Sequence, residues 1–491
     1  MNKVIAYWGD ERFELAAADG ANLHALLAEN EIAVYAPCKG NGTCKKCRVT
    51  VKDASGEREV LACQTKVCGD MEVTVPKVSG GGLTEFGQGG WSAEDDGIGA
   101  AIDIGTTTVA CVLVDLKTGE TLGKRAVLNP QHVCGSDVIS RITACSEGKL
   151  ELQTELIRKE CAELLNGLCA EKGIGSVKTL TVCGNTTMQH LFCGVDPTPI
   201  GVVPFTPVFT KMKTLTGEEL GLAAETVYVL PSASGYIGAD VICGIVSEKL
   251  DQGKVRLLAD LGTNGELALY NGERLVCAST AAGPALEGAN IECGIGGVPG
   301  AVCAVSYENG HLSYRTVDDA APIGICGSGL VDLVAVLLNA GIIDESGLFD
   351  EDCGHPLCES LDDDRFMITS NIWLSQKDIR QFQLAKAAIR AGILTLCSYA
   401  ETDPDAITEL CIAGGLGFYL NEKNALAAGL IPEEFTGKIR VIGNSGLSGA
   451  VQCLLESGRT YAAKAADSIT ICELNLCEEF SDLFVESMLF E

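Results

Sequence analysis

One short pattern occurs twice in the chain. Ala100–Thr108 reads AAIDIGTTT, and Leu257–Glu266 reads LLADLGTNGE. Each is an apolar run that ends in Asp, then Gly, then hydroxyl or amide residues. An apolar run bounded by such a turn reads as a buried strand. Glycine at the turn lets backbone N–H groups approach an anion closely. Threonine adds hydroxyl donors, and aspartate can hold Mg²⁺ directly or through water. A single copy is also what an ordinary hairpin looks like. Two copies, each followed by a further apolar strand, predict two lobes that clamp the phosphates of a nucleotide. Asp103, Gly105, Thr106, Thr107 and Thr108 form one jaw; Asp260, Gly262, Thr263, Asn264 and Gly265 form the other.

The chain is long enough for several domains, at 491 residues. Its 36 Lys and Arg stand against 66 Asp and Glu, a formal net charge of −30. That balance argues against nucleic acid as the main partner and favours solubility. No run of 18 apolar residues occurs, and MNKVIAYWGDERFEL places charge where a signal peptide needs its apolar segment. The expectation is a cytoplasmic protein without a membrane segment. Most of the 24 cysteines sit singly in apolar context, as Cys111, Cys183, Cys243 and Cys411 do. They read as reduced core thiols, a usage that fits an anaerobe.

Residues 1–77 read as a separate α+β domain of β-grasp order. KVIAYWG and RFELAAA are strands, Asn22–Glu29 is a helix, and RVTV and MEVTVP are later strands. Between them lie Cys38, Cys44, Cys47 and then Cys63, spaced C-x5-C-x2-C…C. Four thiolates can hold a [2Fe–2S] cluster, two on each iron. Gly40 and Gly42 let N–H groups turn toward the sulfurs. Zinc is the alternative, but four-cysteine zinc sites usually show two CxxC pairs, and only Cys44/Cys47 is one. Cys68 is off this pattern. Val78–Gly97 carries seven glycines and an acidic run, and reads as a flexible linker.

Residues 98–491 read as the two-lobed nucleotide domain. Ser136 or Asp137 caps a helix, and a further helix covers Leu152–Lys172. Pro231–Gly244 is a turn and helix start that places Asp240 near the second phosphate turn. Gly327 and Ser328 open another helix, either as an anion site or as an ordinary cap. Leu410–Tyr419 is a strand followed by a turn at Gly414, Gly415 and Gly417, where a purine can lie against bare backbone. Asn444 stands at the strand–helix junction in Arg440–Leu455. Lys386, on a predicted long helix Ser375–Leu396, is a further candidate for the nucleotide. Asp240 is the candidate to orient the attacking water, with Gln131 the alternative. Cys472 and Cys477 read as isolated thiols. Walker A loops, nucleophile elbows and HExxH motifs are absent.

Phosphate turn, helix-leading Asp240, second phosphate turn, AGG turn and GNSG helix, in that order, resemble the acetate/sugar-kinase, heat-shock-chaperone and actin superfamily over about residues 98–465. With the cysteine loop added, the whole chain resembles the ATP-dependent reductive activators of corrinoid proteins. The stretches that carry this are Cys38–Cys47, Leu61–Thr65, Asp103–Thr108, Asn129–Arg141, Gly184–His190, Gly235–Asp240, Asp260–Glu266, Ser375–Gly392 and Ala413–Gly417. The resemblance implies an actin-like, ribonuclease H-like ATPase behind a ferredoxin domain. It implies ATP, Mg²⁺ on Asp103 and Asp260, and a [2Fe–2S] cluster as cofactors. It also implies a corrinoid (cobalamin-binding) protein as partner, whose Co(II) receives one electron and returns to Co(I), and a separate electron donor for the cluster. Longer members carry a further domain between linker and ATPase that often makes dimer contacts. Here the linker runs straight into Ile98, which leaves a homodimer in doubt. Competing readings are a small-molecule kinase with a fused ferredoxin, a ferredoxin-like carrier whose ATPase lobes only regulate docking, and an ATP-gated donor to another low-potential metalloenzyme.

Overall fold

A computed structural model describes residues 1–8, 11–30, 32, 34, 47–76, 96–350 and 352–490. Cys38, Cys44, Gly40, Gly42 and the linker to Asp95 lie outside these residues.

Among the described residues, the N-terminal unit is one five-stranded sheet around one short helix. Its strand order is Glu11–Ala17, Asn2–Trp8, Met71–Val75, Arg48–Asp53, Gly56–Leu61. The first and last strands in sequence, Asn2–Trp8 and Met71–Val75, pair in parallel at the centre. The helix Leu23–Glu29 is capped by Asn22, whose side chain accepts from the Ala25 N–H, and buries Leu23, Leu26 and Leu27 against the sheet. This is the β-grasp order that the alternating strands imply.

Two six-stranded sheets follow, and they have the same plan. In the first lobe, Ile98–Ile104, Thr108–Asp115 and Thr121–Leu128 form an antiparallel meander. Val177–Gly184 and then Ala224–Val229 add to it in parallel. In the second lobe, Arg256–Leu261, Gly265–Tyr270 and Leu275–Thr280 form the meander. Glu409–Ala413 and then Ile439–Gly443 add in parallel. The central strand Thr108–Asp115 is buried along its length except at its two ends, which accounts for its unbroken apolar run. Long helices cover the outer faces: Leu150–Lys172 on the first sheet and Gln376–Tyr399 on the second. Ser375 caps the latter in a reciprocal capping box with Asp378.

Between the sheets lie two helices, Ala239–Glu248 and Ser445–Gln452. They cross so closely that a Cβ on Gly449 would stand 1.9 Å from the Cys243 carbonyl oxygen. One apolar cluster here joins Ala101 and Val112 of the first sheet to Leu258 and Ala268 of the second. The Thr181 hydroxyl donates to the Ala450 carbonyl at 2.7 Å, fastening the first sheet to the second crossing helix. Both Asp–Gly turns thus lie beside the starts of the crossing helices. Among the described residues no helix is long and apolar enough to cross a membrane.

Candidate functional site

The first turn is a tight hairpin. Gly105 N–H donates to the Thr108 carbonyl at 2.9 Å. A Cβ on Gly105 would meet that same oxygen at 2.7 Å, so only glycine fits. All three carbonyls of the turn are held from behind. Asn129 donates from Nδ2 to Gly105 and from its backbone N–H to Thr107, both at 2.8 Å. Arg141, fully buried, donates to the Thr106 carbonyl at 2.6 Å. The Thr106 hydroxyl accepts from Asn185, which also caps the helix Thr186–Cys193.

The second turn is built differently. Asp260 pairs across its hairpin with Glu266. Gly262 N–H donates to the Asn264 carbonyl at 2.9 Å. A Cβ on Gly262 would find its nearest neighbours, Asn264 O and Glu287 Oε1, at 3.8 Å. The Thr263 hydroxyl donates to the Glu287 carboxylate. Gly265 starts the next strand and packs on Thr280.

Three contacts draw distant segments onto the two aspartates. Asn444, the cap of Ser445–Gln452, donates to Asp103 Oδ2 at 2.8 Å. Cys183 Sγ lies 3.6 Å from Asp103 Oδ1. Gly414 has φ +92°, and a Cβ there would meet Leu261 O at 2.6 Å and Asp260 Oδ1 at 2.8 Å. The glycine turn Gly414–Tyr419 therefore lies directly against Asp260. Asp240 sits in the first turn of Ala239–Glu248, and its Oδ1 accepts the Val241 N–H at 2.8 Å.

Five half-buried carboxylates thus share one region. Burial raises Asp103 above the usual carboxylate range. It pushes Asp240 up to about 7 and Asp260 to about 8, with mutual repulsion adding to both. Glu266 and Glu287 are raised by burial as well. Half-buried like charges crowded in this way call for a cation. Among the described residues no three His, Cys, Asp or Glu side chains form a ready metal cage. Mg²⁺ does not need one, because one or two carboxylates usually hold it together with substrate phosphates and water. The helices that begin after Asn185, Gly238 and Asn444 direct their positive ends to the same region.

Several sequence candidates stand elsewhere. Gln131 is fully buried behind the first turn; its amide nitrogen donates to the Gln153 carbonyl at 3.0 Å, and its oxygen faces Arg141 at 3.4 Å. It braces the turn and does not reach the cleft. Lys386, 1 % exposed, donates to the Ser487 and Leu489 carbonyls and lies 4.7 Å from the centre of the Phe490 ring. It clamps the C-terminal segment, not a nucleotide. Ser328 is buried and its hydroxyl donates to the Cys303 carbonyl at 2.9 Å. A Cβ on Gly327 would stand 1.8 Å from Leu286 O, so that glycine serves close packing. Cys472 and Cys477 are not isolated from each other: their sulfurs are 3.7 Å apart. Glu266, Glu287, Asn129 and Arg141 are the site residues that sequence reasoning left without a role. Asn185, with Thr186 and Thr187, reads from sequence as a turn-former or site residue at a strand end; the structure makes it a helix cap that also bonds Thr106.

In the N-terminal unit, Cys47 and Cys63 are both buried, and Cys63 N–H donates to Cys47 Sγ at 3.4 Å. A backbone N–H aimed at a thiolate suits an iron–sulfur ligand. The other two cysteines of the pattern fall outside the described residues.

Comparison with known proteins covers almost the whole chain. The 2Fe-2S iron-sulfur cluster binding domain matches residues 7–68. The RACo middle region matches residues 98–253, and the C-terminal ASKHA domain of RACo matches residues 254–491. The corrinoid activation enzyme RamQ of Eubacterium limosum is 31 % identical over 92 % of this chain and 93 % of its own length. The [Co(II) methylated amine-specific corrinoid protein] reductase of Methanosarcina barkeri is 26 % identical over 74 % of this chain and 70 % of its own. A solved structure titled a reductive activator for corrinoid, iron–sulfur protein superposes with a TM-score of 0.74. It is 29 % identical and covers 100 % of this chain and 98 % of its own.

Proposed function

The chain belongs to the RACo family of corrinoid-protein reductive activators, and from that premise we propose the division of labour among its residues. A 2Fe-2S binding domain precedes an ATP-binding ASKHA domain. The protein passes one electron to the Co(II) corrinoid of a partner protein, returning it to Co(I), and ATP hydrolysis drives the step. An external one-electron donor resupplies the N-terminal domain.

Cys38, Cys44, Cys47 and Cys63 would hold the [2Fe–2S] cluster, which supplies one-electron transfer when bound. Asp103 and Asp260 would hold Mg²⁺, which neutralises phosphate charge. Thr106–Thr108 and Thr263–Asn264 bind the phosphates from opposite jaws, and the turn from Gly414 takes the adenosine. Asn444 orients Asp103, and Gly414 sets the approach of the nucleotide to Asp260. Asp240 accepts a proton from the attacking water; a carboxyl held near neutrality is matched to that task. Closing the two lobes on ATP favours one arrangement of the molecule over another. Four decades of such bias correspond to about 5.5 kcal/mol, or about 240 mV for one electron.

The observation that carries this reading is the convergence of Asp103, Asp240 and Asp260, from three separate elements, on one half-buried region. The test uses anaerobically purified full-length protein, a purified corrinoid protein and optical detection of Co(II) reduction. ATP-dependent reduction is expected, with Asp240→Asn losing ATP hydrolysis while the visible spectrum of the N-terminal domain is unchanged. Reduction that proceeds equally well without ATP, or full hydrolysis by Asp240→Asn, overturns it.

A further inference from the structure

The N-terminal unit is seated on the first lobe, and two crevices mark the seam. One lies between Trp8, Phe13 and Asn30 on one side and Pro130, Leu152 and Glu155 on the other. The second, about 420 Å³, lies between His24, Ile32 and Val34 on one side and His132, Cys134 and Ser140 on the other.

His132 stands at the point where this seam meets the nucleotide site. Its ring faces His24 and Val34, the latter four positions before Cys38, across the second crevice, and lies near the Arg141 guanidinium. Its Nδ1 lies 2.9 Å from the Asn129 carbonyl. Asn129 is the residue that holds the Gly105 and Thr107 carbonyls. It also caps the 3₁₀ turn Pro130–Val133 that carries His132, so the two move as one short rigid piece. Arg141 gives a second strut. It donates to Thr106 O at 2.6 Å and to Gly135 O at 3.1 Å, and Gly135 lines the same seam. Burial holds the His132 imidazole neutral, with its pKa down at about 4.

We infer that His132 couples the seat of the N-terminal domain to the first phosphate turn, so that nucleotide at Gly105–Thr107 loosens the contact between segment 24–34 and the first lobe. The turn cannot shift onto phosphates without dragging Asn129, because its carbonyls are tied to that side chain and backbone. Asn129 cannot shift without changing how His132 faces Val34. The direction of the effect rests on the electron-delivery reading above: a domain that delivers an electron to a partner must leave its seat on the first lobe. Such coupling is reciprocal, and it is a property of binding rather than of hydrolysis.

Hydrogen exchange read by mass spectrometry on the full chain tests this, with and without AMP-PNP and Mg²⁺ and with no corrinoid protein present. In the wild type the analogue is expected to protect residues 103–108 and to speed exchange in 24–34 by about fivefold or more, the lower end of ordinary coupling. Strand 2–8 serves as the internal control and is expected to stay unchanged. In His132→Ala, exchange in 24–34 is expected to be fast already and to change less than twofold with the analogue, while 103–108 is still protected. His132→Gln, which keeps a donor of similar reach, is expected to fall between the two. Unchanged or slower exchange of 24–34 in the wild type, or a wild-type response in His132→Ala and His132→Gln, overturns the coupling. ATP-dependent corrinoid reduction alongside a silent 24–34 breaks this inference alone. A responsive 24–34 in a protein that cannot reduce a corrinoid protein supports the coupling and breaks the functional reading instead.

Discussion

The two Asp–Gly turns occupy equivalent places in two sheets that share a five-strand order, yet they are held by opposite means. The first turn is gripped through its carbonyls by Asn129 and Arg141 and through a hydroxyl by Asn185. The second has its hydroxyl turned onto a carboxylate, Glu287, with Glu266 across the strand from Asp260. The first jaw is therefore fixed by neutral and cationic donors that lead outward to the seam with the N-terminal domain. The second jaw concentrates negative charge. A duplicated scaffold has been divided into a coupled side and an acidic side. Strand order is set by pleated apolar faces. The residues behind each turn are set by whatever later segment packs there.

Loss of either aspartate should have the largest effect and should not distinguish the jaws. Asp103→Ala and Asp260→Ala are each expected to lower ATP turnover by about 10²–10⁴-fold. The iron–sulfur spectrum should remain as in the wild type. A variant that turns over ATP normally in a steady-state phosphate-release assay breaks the equivalence of the two turns.

The glycines should separate the jaws. Gly105→Ala forces a methyl to within 2.7 Å of Thr108 O and is expected to cost about 1–3 kcal/mol. Gly262→Ala meets only ordinary contacts at 3.8 Å and is expected to stay within about 0.5 kcal/mol. Urea denaturation of the two variants side by side gives the comparison, and equal losses contradict the difference in packing.

A smaller effect is expected at the brace from the neighbouring helix. Asn185→Ala removes both the cap of Thr186–Cys193 and the bond to Thr106, and should destabilise by about 1 kcal/mol. It should weaken AMP-PNP binding measured by calorimetry, whereas Asn185→Asp keeps the cap acceptor and loses only the donor to Thr106. If Asn185→Asp binds the analogue as tightly as the wild type, the bond to Thr106 has no part in holding the first jaw.

The smallest effect concerns the edge of the acidic lobe. Arg440 holds Glu409 by a two-pronged contact at 2.9 and 3.1 Å, which pulls the Glu409 carboxyl down to about 2. A carboxylate lowered in this way contributes stability that is complete above about pH 4.5 and is lost as pH falls toward 2. Both side chains are partly exposed, so Arg440→Ala should cost no more than about 1 kcal/mol. The acid limb of its stability profile should be flatter than that of the wild type. An unchanged limb would mean that other carboxylates govern acid unfolding.

Much of the fold is written in short-range patterns. Asp–Gly–hydroxyl after an apolar run marked both turns, and Asn22, Asp137 and Ser375 marked helix starts that the structure places at Leu23, Val138 and Gln376. These signals are legible because a cap or a turn acts on backbone within a few residues of itself. Lys386 shows the boundary of such reading. It lies on a correctly located helix, but the face it occupies meets the chain's last residues rather than the cleft. Gln131 fails in the same way, as an amide near the right turn whose partners lie behind it.

The sequence by itself determined two apolar hairpins with acid and hydroxyl tips, a four-cysteine loop in a small separate unit, and the family to which that combination points. Tertiary structure alone decided which residues meet at those tips. Asn444 reaches Asp103 across 341 positions, Gly414 closes on Asp260, and His132 faces Val34 across a crevice. Periodicity reports which face of an element is buried, but a buried polar side chain is satisfied by any geometrically suitable group. Only the packing of the whole chain selects which group that is.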